Sequence, residues 1–252
     1  MLFRSATDRL PGDALVIPDP YRALETDSEQ TRAWLTAQTE RTERALAAVA
    51  DPRTQERLTR LLEIGSLGDI AVAGSRVFFT LQEAPRQRPA LYVLDTRDPN
   101  ASVDPEQPLI DPRQFGERAA LDYMVPARDG RYVAFGVSDN GDERSVLRVY
   151  DVEHRTLLPD ALPHTKWSSL EWFEDGSGFY YRRYPRPGEP HWNEREPDSY
   201  DAHLFAHRLT AAAEDDARVF EGQRPVDFPS AVLDETGRYV VVNNQRSWTA
   251  GD

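Results

Sequence analysis

The chain has 252 residues, with 43 acidic against 30 basic side chains, a formal net charge of −13 and no cysteine. This balance argues against a nucleic-acid binder, which needs a basic footprint, and describes a self-repelling surface. The lack of cysteine excludes disulfides, thiolate metal sites and a thiol nucleophile.

Met1 to Leu10 carries Arg4, Asp8 and Arg9 with no apolar core after them, so no secretory signal is read there. No apolar run approaches the roughly 20 residues that span a bilayer. The expectation is a cytoplasmic protein without membrane contact; a reducing compartment fits a chain free of Cys.

Residues 1–20 read as extended and irregular, with prolines at 11, 18 and 20. Two helices follow. Asp27 or Ser28 can cap the first, with Gln30 as a capping-box partner. Its apolar positions Leu35, Leu46 and Val49 form a sparse stripe flanked by Trp34. Asp51-Pro52 opens the second helix, a cap followed by proline at the first helical position. Leu58, Leu61 and Leu62 give that helix an i, i+3, i+4 face, and Gly65 is a natural stop.

From Leu67 onward the pattern changes to a repeat. Glycines 74, 130, 176 and 237 each close a tight turn that feeds a strand rich in Val, Tyr and Phe. Copies include Asp129-Gly130-Arg131-Tyr132-Val133-Ala134-Phe135 and Asp175-Gly176-Ser177-Gly178-Phe179-Tyr180-Tyr181. A second strand follows each of the first three turns, at Leu91–Asp95, Leu147–Val152 and Leu204–Leu209. Turn, strand, loop and strand at this period is the pattern of four-stranded propeller blades. At about 40–45 residues per blade, residues 67–252 make roughly four.

Catalytic candidates are few. His203 and His207 stand at i, i+4, but on a strand such residues lie about 13 Å apart, too far to share one ion. A structural role is the reading there, and neither a metal nor a cofactor is expected. The nucleophile elbow G-x-S-x-G does not occur; Gly136-Val137-Ser138-Asp139-Asn140 puts its second glycine one place late, at Gly141. Pro185 to Tyr200, with Glu189, Glu194, Arg195, Glu196 and Asp198, reads as a long solvated and mobile loop. It is either a rim element that gates substrate or a tolerated insertion.

In order along the chain, several stretches resemble the prolyl oligopeptidase family of serine peptidases. They are Asp19-Pro20-Tyr21-Arg22-Ala23-Leu24-Glu25, the helix from Ser28 to Gln38, Leu109-Ile110-Asp111-Pro112, Asp129 to Gly136, Glu171 through Tyr184-Pro185, and His207-Arg208-Leu209 with Glu214-Asp215. Ala23 and Thr210 depart from the family's usual Trp and Gly. The resemblance implies a mainly β fold: an incomplete propeller, about four blades of a seven-bladed type, after an α-helical N-terminal segment. Residues 1–66 form that segment, which packs on an α/β-hydrolase domain absent from this chain, and 67–252 form the partial propeller.

By the same resemblance the intact enzyme cleaves short proline-containing peptides after proline, while the propeller gates access. No catalytic residue is expected here. Trp167 falls where the family carries an aromatic that reaches into the substrate cleft, and Val219 where another propeller residue lines that pocket. Read only as a residue, a tryptophan such as Trp167 is more often part of the core. The alternatives are a stand-alone propeller-like binding module and the matching region of an oligopeptidase B-type enzyme. A partial propeller exposes strand edges, so the chain alone is expected to be marginal or oligomeric.

Overall fold

A computed structural model describes residues 6–9, 16–84, 86 and 88–246. The chain falls into two compact units that divide after Leu62. The extended reading of residues 1–5 and 10–15 lies outside the described residues.

In the first unit, strands β1 (Ala6–Arg9) and β2 (Val16–Asp19) pair antiparallel. A 3₁₀ turn at Arg22–Glu25 leads to helices α1 (Glu29–Ala47) and α2 (Pro52–Leu62). Ser28 caps α1, its Oγ accepting from the Thr31 amide at 3.1 Å. The residue three beyond the cap is Thr31, so the expected Gln30 capping box does not form. Asp51 caps α2 by accepting from the amides of Arg53 and Thr54 at 3.1 and 3.3 Å. The leucine face of α2, at Leu58, Leu61 and Leu62, is exposed.

The second unit is a succession of antiparallel sheets. The first holds β3 (Ser66–Ala73), β4 (Arg76–Gln82) and β5 (Ala90–Asp95), and a single bridge from Leu91 to Ile110 marks the place of a fourth strand. Next come two four-stranded meanders. One is β6 (Ala119–Pro126), β7 (Tyr132–Asp139), β8 (Val146–Asp151) and β9 (Thr156–Leu162). The other is β10 (Leu170–Trp172), β11 (Gly178–Arg183), β12 (His203–Arg208) and β13 (Ala217–Phe220). The hairpin β14 (Phe228–Leu233) and β15 (Val240–Gln245) follows.

The repeat seen in the sequence is therefore the turn between the first two strands of each sheet. Gly74, Gly130, Gly176 and Gly237 occupy it with φ of 54, 73, 67 and 66°, a region glycine enters without the clash a Cβ brings. At the first two turns the backbones also touch. A Cβ on Gly130 would lie 2.5 Å from the Ala73 carbonyl oxygen, and one on Gly74 would lie 2.4 Å from that of Asp129.

Adjacent sheets bury their faces against one another. Strand β7 shows why its sequence is apolar at nearly every position. Val133, Phe135 and Val137 face the first sheet with Phe78, Leu91 and Ile110, while Ala134 belongs to the opposite core with Val149, Trp172 and Phe179. A strand covered on both faces loses the alternation that a half-solvated strand keeps. At each junction a side chain bonds the backbone of the neighbouring sheet. Arg76 Nη1 donates to the Gly130 carbonyl at 2.7 Å, Trp172 Nε1 to Val125 at 3.0 Å and Arg182 Nη1 to Pro229 at 3.2 Å.

Candidate functional site

A four-stranded meander places the loop between its second and third strands, and the connection into its first strand, at the same end. That end gathers residues 140–145, 163–169 and 184–202, and hydrogen bonds join them directly. Thr165 donates from its amide and its Oγ to the Ser145 carbonyl at 3.2 and 2.9 Å, and the Tyr184 amide donates to His164 at 2.9 Å. Asp122, near the start of β6, accepts from Ser138 Oγ at 2.8 Å and Ser145 Oγ at 2.5 Å. Burial raises the pKa of Asp122, and the two serine bonds only partly oppose it.

Backbone strain concentrates here. Asn140, Glu143, His164, Trp167, His191, Asp198 and Asp201 all have positive φ, between 49 and 66°. For a bulky residue this conformation is a true outlier, held only where surroundings over-determine it. Trp167 is such a case. Its carbonyl accepts a short bond from Arg182 Nη2, and Lys166 Nζ lies 4.4 Å from its ring centroid. The indole remains 43% exposed, so Trp167 is not a core tryptophan.

Arg182 is itself unusual. It is buried, stacks over Phe228 at 4.9 Å and forms no ion pair within 4 Å among the described residues. Its guanidinium is spent on two backbone carbonyls, Trp167 and Pro229, so it fixes the strained loop to the next hairpin. Burial lowers its pKa from the usual arginine value.

The long loop departs in part from its solvated reading. Asp198 is buried with its Oδ1 2.7 Å from His164 Nδ1, within hydrogen-bond distance, and Trp192 meets the His164 ring edge-on. Glu189 takes a two-pronged bond from the buried Arg183, at 2.7 and 2.9 Å, and also accepts from the Arg186 amide. Burial raises the Glu189 pKa, but the Arg183 bond and the Arg186 amide together hold it below the usual range. Glu189 and Asp198, taken as solvated, are thus anchors whose Arg183 and His164 partners lie outside the loop, while Glu194, Arg195 and Glu196 are exposed as expected.

Val219, on the outer strand β13, is 46% exposed. It lines an open groove of about 820 Å³ with Phe173, Tyr180, Leu233 and Val240, and Trp167 is not on its walls. The structure does not bring the two expected pocket residues onto that one surface. His203 and His207 both lie on β12, and His207 is wholly buried between Asp160 and Asp216. Among the described residues no serine Oγ is hydrogen-bonded to a histidine ring, and no helix is long and apolar enough to cross a membrane.

The model for the prolyl oligopeptidase N-terminal β-propeller domain matches residues 3–251. The prolyl endopeptidase of Elizabethkingia meningoseptica is 24% identical over 90% of this chain, and prolyl oligopeptidase A of Amanita bisporigera is also 24% identical over 90%. The chain spans about a third of the length of these relatives, 32% and 33%. Among solved structures, one from a study of two prolyl endopeptidases superposes on the whole chain with a TM-score of 0.83 at 25% identity, covering 37% of that protein. Prolyl oligopeptidase B from Galerina marginata, bound to a 25mer macrocyclization substrate, shares the fold with a TM-score of 0.77 at 20% identity, over 98% of this chain and 37% of its own. Taken with the stacked sheets and their common turn, these matches mean that the chain belongs to the prolyl oligopeptidase N-terminal β-propeller family.

Proposed function

We propose that this chain is the propeller region of a cytoplasmic serine endopeptidase that cleaves short peptides after proline. In this reading an α/β-hydrolase domain outside these residues carries the catalytic groups, and the propeller restricts entry to small peptides. The helical segment, residues 1–66, packs on that domain, which gives the exposed leucines of α2 an apolar partner. Trp167 contributes one wall of the substrate pocket.

The observation that carries the proposal is the indole of Trp167, half exposed on a strained backbone that a buried arginine holds in place. An aromatic plane presented this way offers a stacking face to an apolar peptide side chain. Val219 enters the proposal through its position in the family alone, since the groove it lines excludes Trp167.

The test uses the complete enzyme and a chromogenic peptide with a bulky residue two places before proline. Trp167→Ala is expected to raise KM about tenfold with kcat nearly unchanged, the signature of lost uniform binding worth about 1.4 kcal/mol. Val219→Ala should raise KM by a smaller factor. The present 252 residues alone are expected to cleave nothing. An unchanged KM in Trp167→Ala removes Trp167 from the pocket, and proline-specific cleavage by this chain alone overturns the division of labour.

A further inference from the structure

Beside the first sheet of the second unit, Arg86 and Arg88, between β4 and β5, approach the segment that leads into β6. Together they enclose a cleft of about 460 Å³ lined by Arg86, Arg88, Asp111, Arg113, Glu117 and Arg118. Four guanidinium groups against two carboxylates leave these walls positive, in a chain whose net charge is −13. The local sign is inverted, and the one-sided walls call for an anion.

The acids present do not neutralise this charge. Asp111 serves two arginines through the same oxygen: Oδ2 accepts from Arg113 Nη2 at 2.6 Å and from Arg86 Nη1 at 2.5 Å. The Arg113 bond first, then the Arg86 bond, outweigh burial and hold the Asp111 carboxyl well below the usual range, so it is ionised and already committed. Arg118 pairs with Asp139, beyond the cleft wall, at 3.2 Å. Arg88 has no carboxylate within 4 Å among the described residues and donates only to the Ala119 carbonyl, at 2.9 Å. Counting Asp139 with the acids still leaves one guanidinium over.

The guanidiniums are also preorganised. Arg86 is only 16% exposed at its side chain and is tied to both Asp111 and the Pro105 carbonyl. A guanidinium carries five N–H donors, and these anchors use two of them on Arg86 and one on Arg88. The remaining donors form a fork suited to a planar or tetrahedral oxyanion. Fixing the cations beforehand removes much of the side-chain ordering that binding otherwise demands.

We propose that this cleft is an oxyanion-binding site that takes a single carboxylate or phosphate group, with Arg88 as its central donor and Arg86 and Arg118 flanking it. The group would come either from a free C-terminal carboxylate of a peptide or from a phosphate-bearing small molecule. By the meander topology the cleft opens at the same end of the sheets as Trp167.

Isothermal titration of the full chain at low ionic strength tests this with three probes. They are inorganic phosphate, an N-acetylated tetra-alanine peptide with a free carboxylate, and the same peptide amidated. Saturable one-to-one binding of phosphate, or of the free acid but not the amide, supports the site and identifies the source. Arg88→Gln should weaken that binding about tenfold, the scale of one charged hydrogen bond. Arg118→Gln, exposed and harmless to folding, is the second variant should Arg88→Gln fail to fold, and it should weaken binding by a smaller factor. Raising salt to about 0.5 M should weaken it further. No saturable binding of phosphate or free acid overturns the proposal. Full affinity in a folded Arg88→Gln, or in Arg118→Gln where that variant stands in for it, overturns it as well.

Discussion

His207 offers the sharpest quantitative test of how the sheets are held together. Its Nε2 lies 2.7 Å from Asp160 Oδ1, at the end of β9 in the preceding sheet, and its Nδ1 lies 2.7 Å from Asp216 Oδ1. All three side chains are buried, with at most 2% of their surface exposed. A neutral imidazole has one N–H, so donating to two ionised carboxylates takes the doubly protonated ring. Burial alone pulls the pKa of His207 down. The bonds to Asp160 and Asp216 outweigh it and place the pKa at about 9, against 6.5 for a free histidine. Around the ring, Tyr181 Oη donates to Asp216 Oδ2 at 2.6 Å and the Thr210 amide to Asp160 Oδ1 at 2.8 Å.

His207→Gln keeps much of the volume and removes the charge, leaving two buried carboxylates without a cation. Breaking a buried pair in this way costs about 3–5 kcal/mol, a large share of the ~5–15 kcal/mol typical of a whole domain. The pH dependence has a fixed sign. The folded pKa is raised, so the stabilisation is complete below about 6.5 and is lost as pH climbs through about 9. Denaturant titrations of the native chain and of His207→Gln, run from pH 6 to 10, give the difference free of other titrating groups. It should be widest near pH 6 and shrink steadily beyond pH 7. A flat difference across that range, or a loss below about 1 kcal/mol at pH 6, refutes a charged His207.

Other perturbations have equally definite expected outcomes. Gly130→Ala forces a Cβ into positive φ and against the Ala73 carbonyl; calorimetry should show a loss of about 2 kcal/mol or more. Arg182→Met leaves the Trp167 and Pro229 carbonyls without their donor. Hydrogen exchange should speed up across residues 163–169 while β7 keeps its protection. Asp198→Ala frees His164, and limited proteolysis should then cut between Pro185 and Tyr200 at protease levels that spare the native chain.

The sequence made the scaffold legible because its rules are local. A turn that requires positive φ selects glycine, so Gly74, Gly130, Gly176 and Gly237 mark four sheets before any contact is known. Helix caps at Ser28 and Asp51 are likewise decided within three residues. The rest was hidden because its partners are remote. Asp160 and His207 are 47 residues apart on different sheets, and nothing near either hints at the other. The loop from Pro185 was misread in part for the same reason. Two of its charges look solvated until Arg183 and His164 are placed beside Glu189 and Asp198. The exposed indole of Trp167 was available only through the family likeness, since spacing alone cannot distinguish a presented tryptophan from a packed one.

The stitched junctions have a mechanical consequence. Arg76 and Arg182 each reach forward to a carbonyl of the following sheet, Trp172 reaches back to one of the preceding sheet, and each sheet in the series packs chiefly on its immediate neighbours. A molecule fastened that way does not share load across its length. Drawn out from its ends, it should yield in instalments, each sheet peeling from the next as the clasps of that junction let go. The short hairpin β14–β15 should come away before the two full meanders behind it.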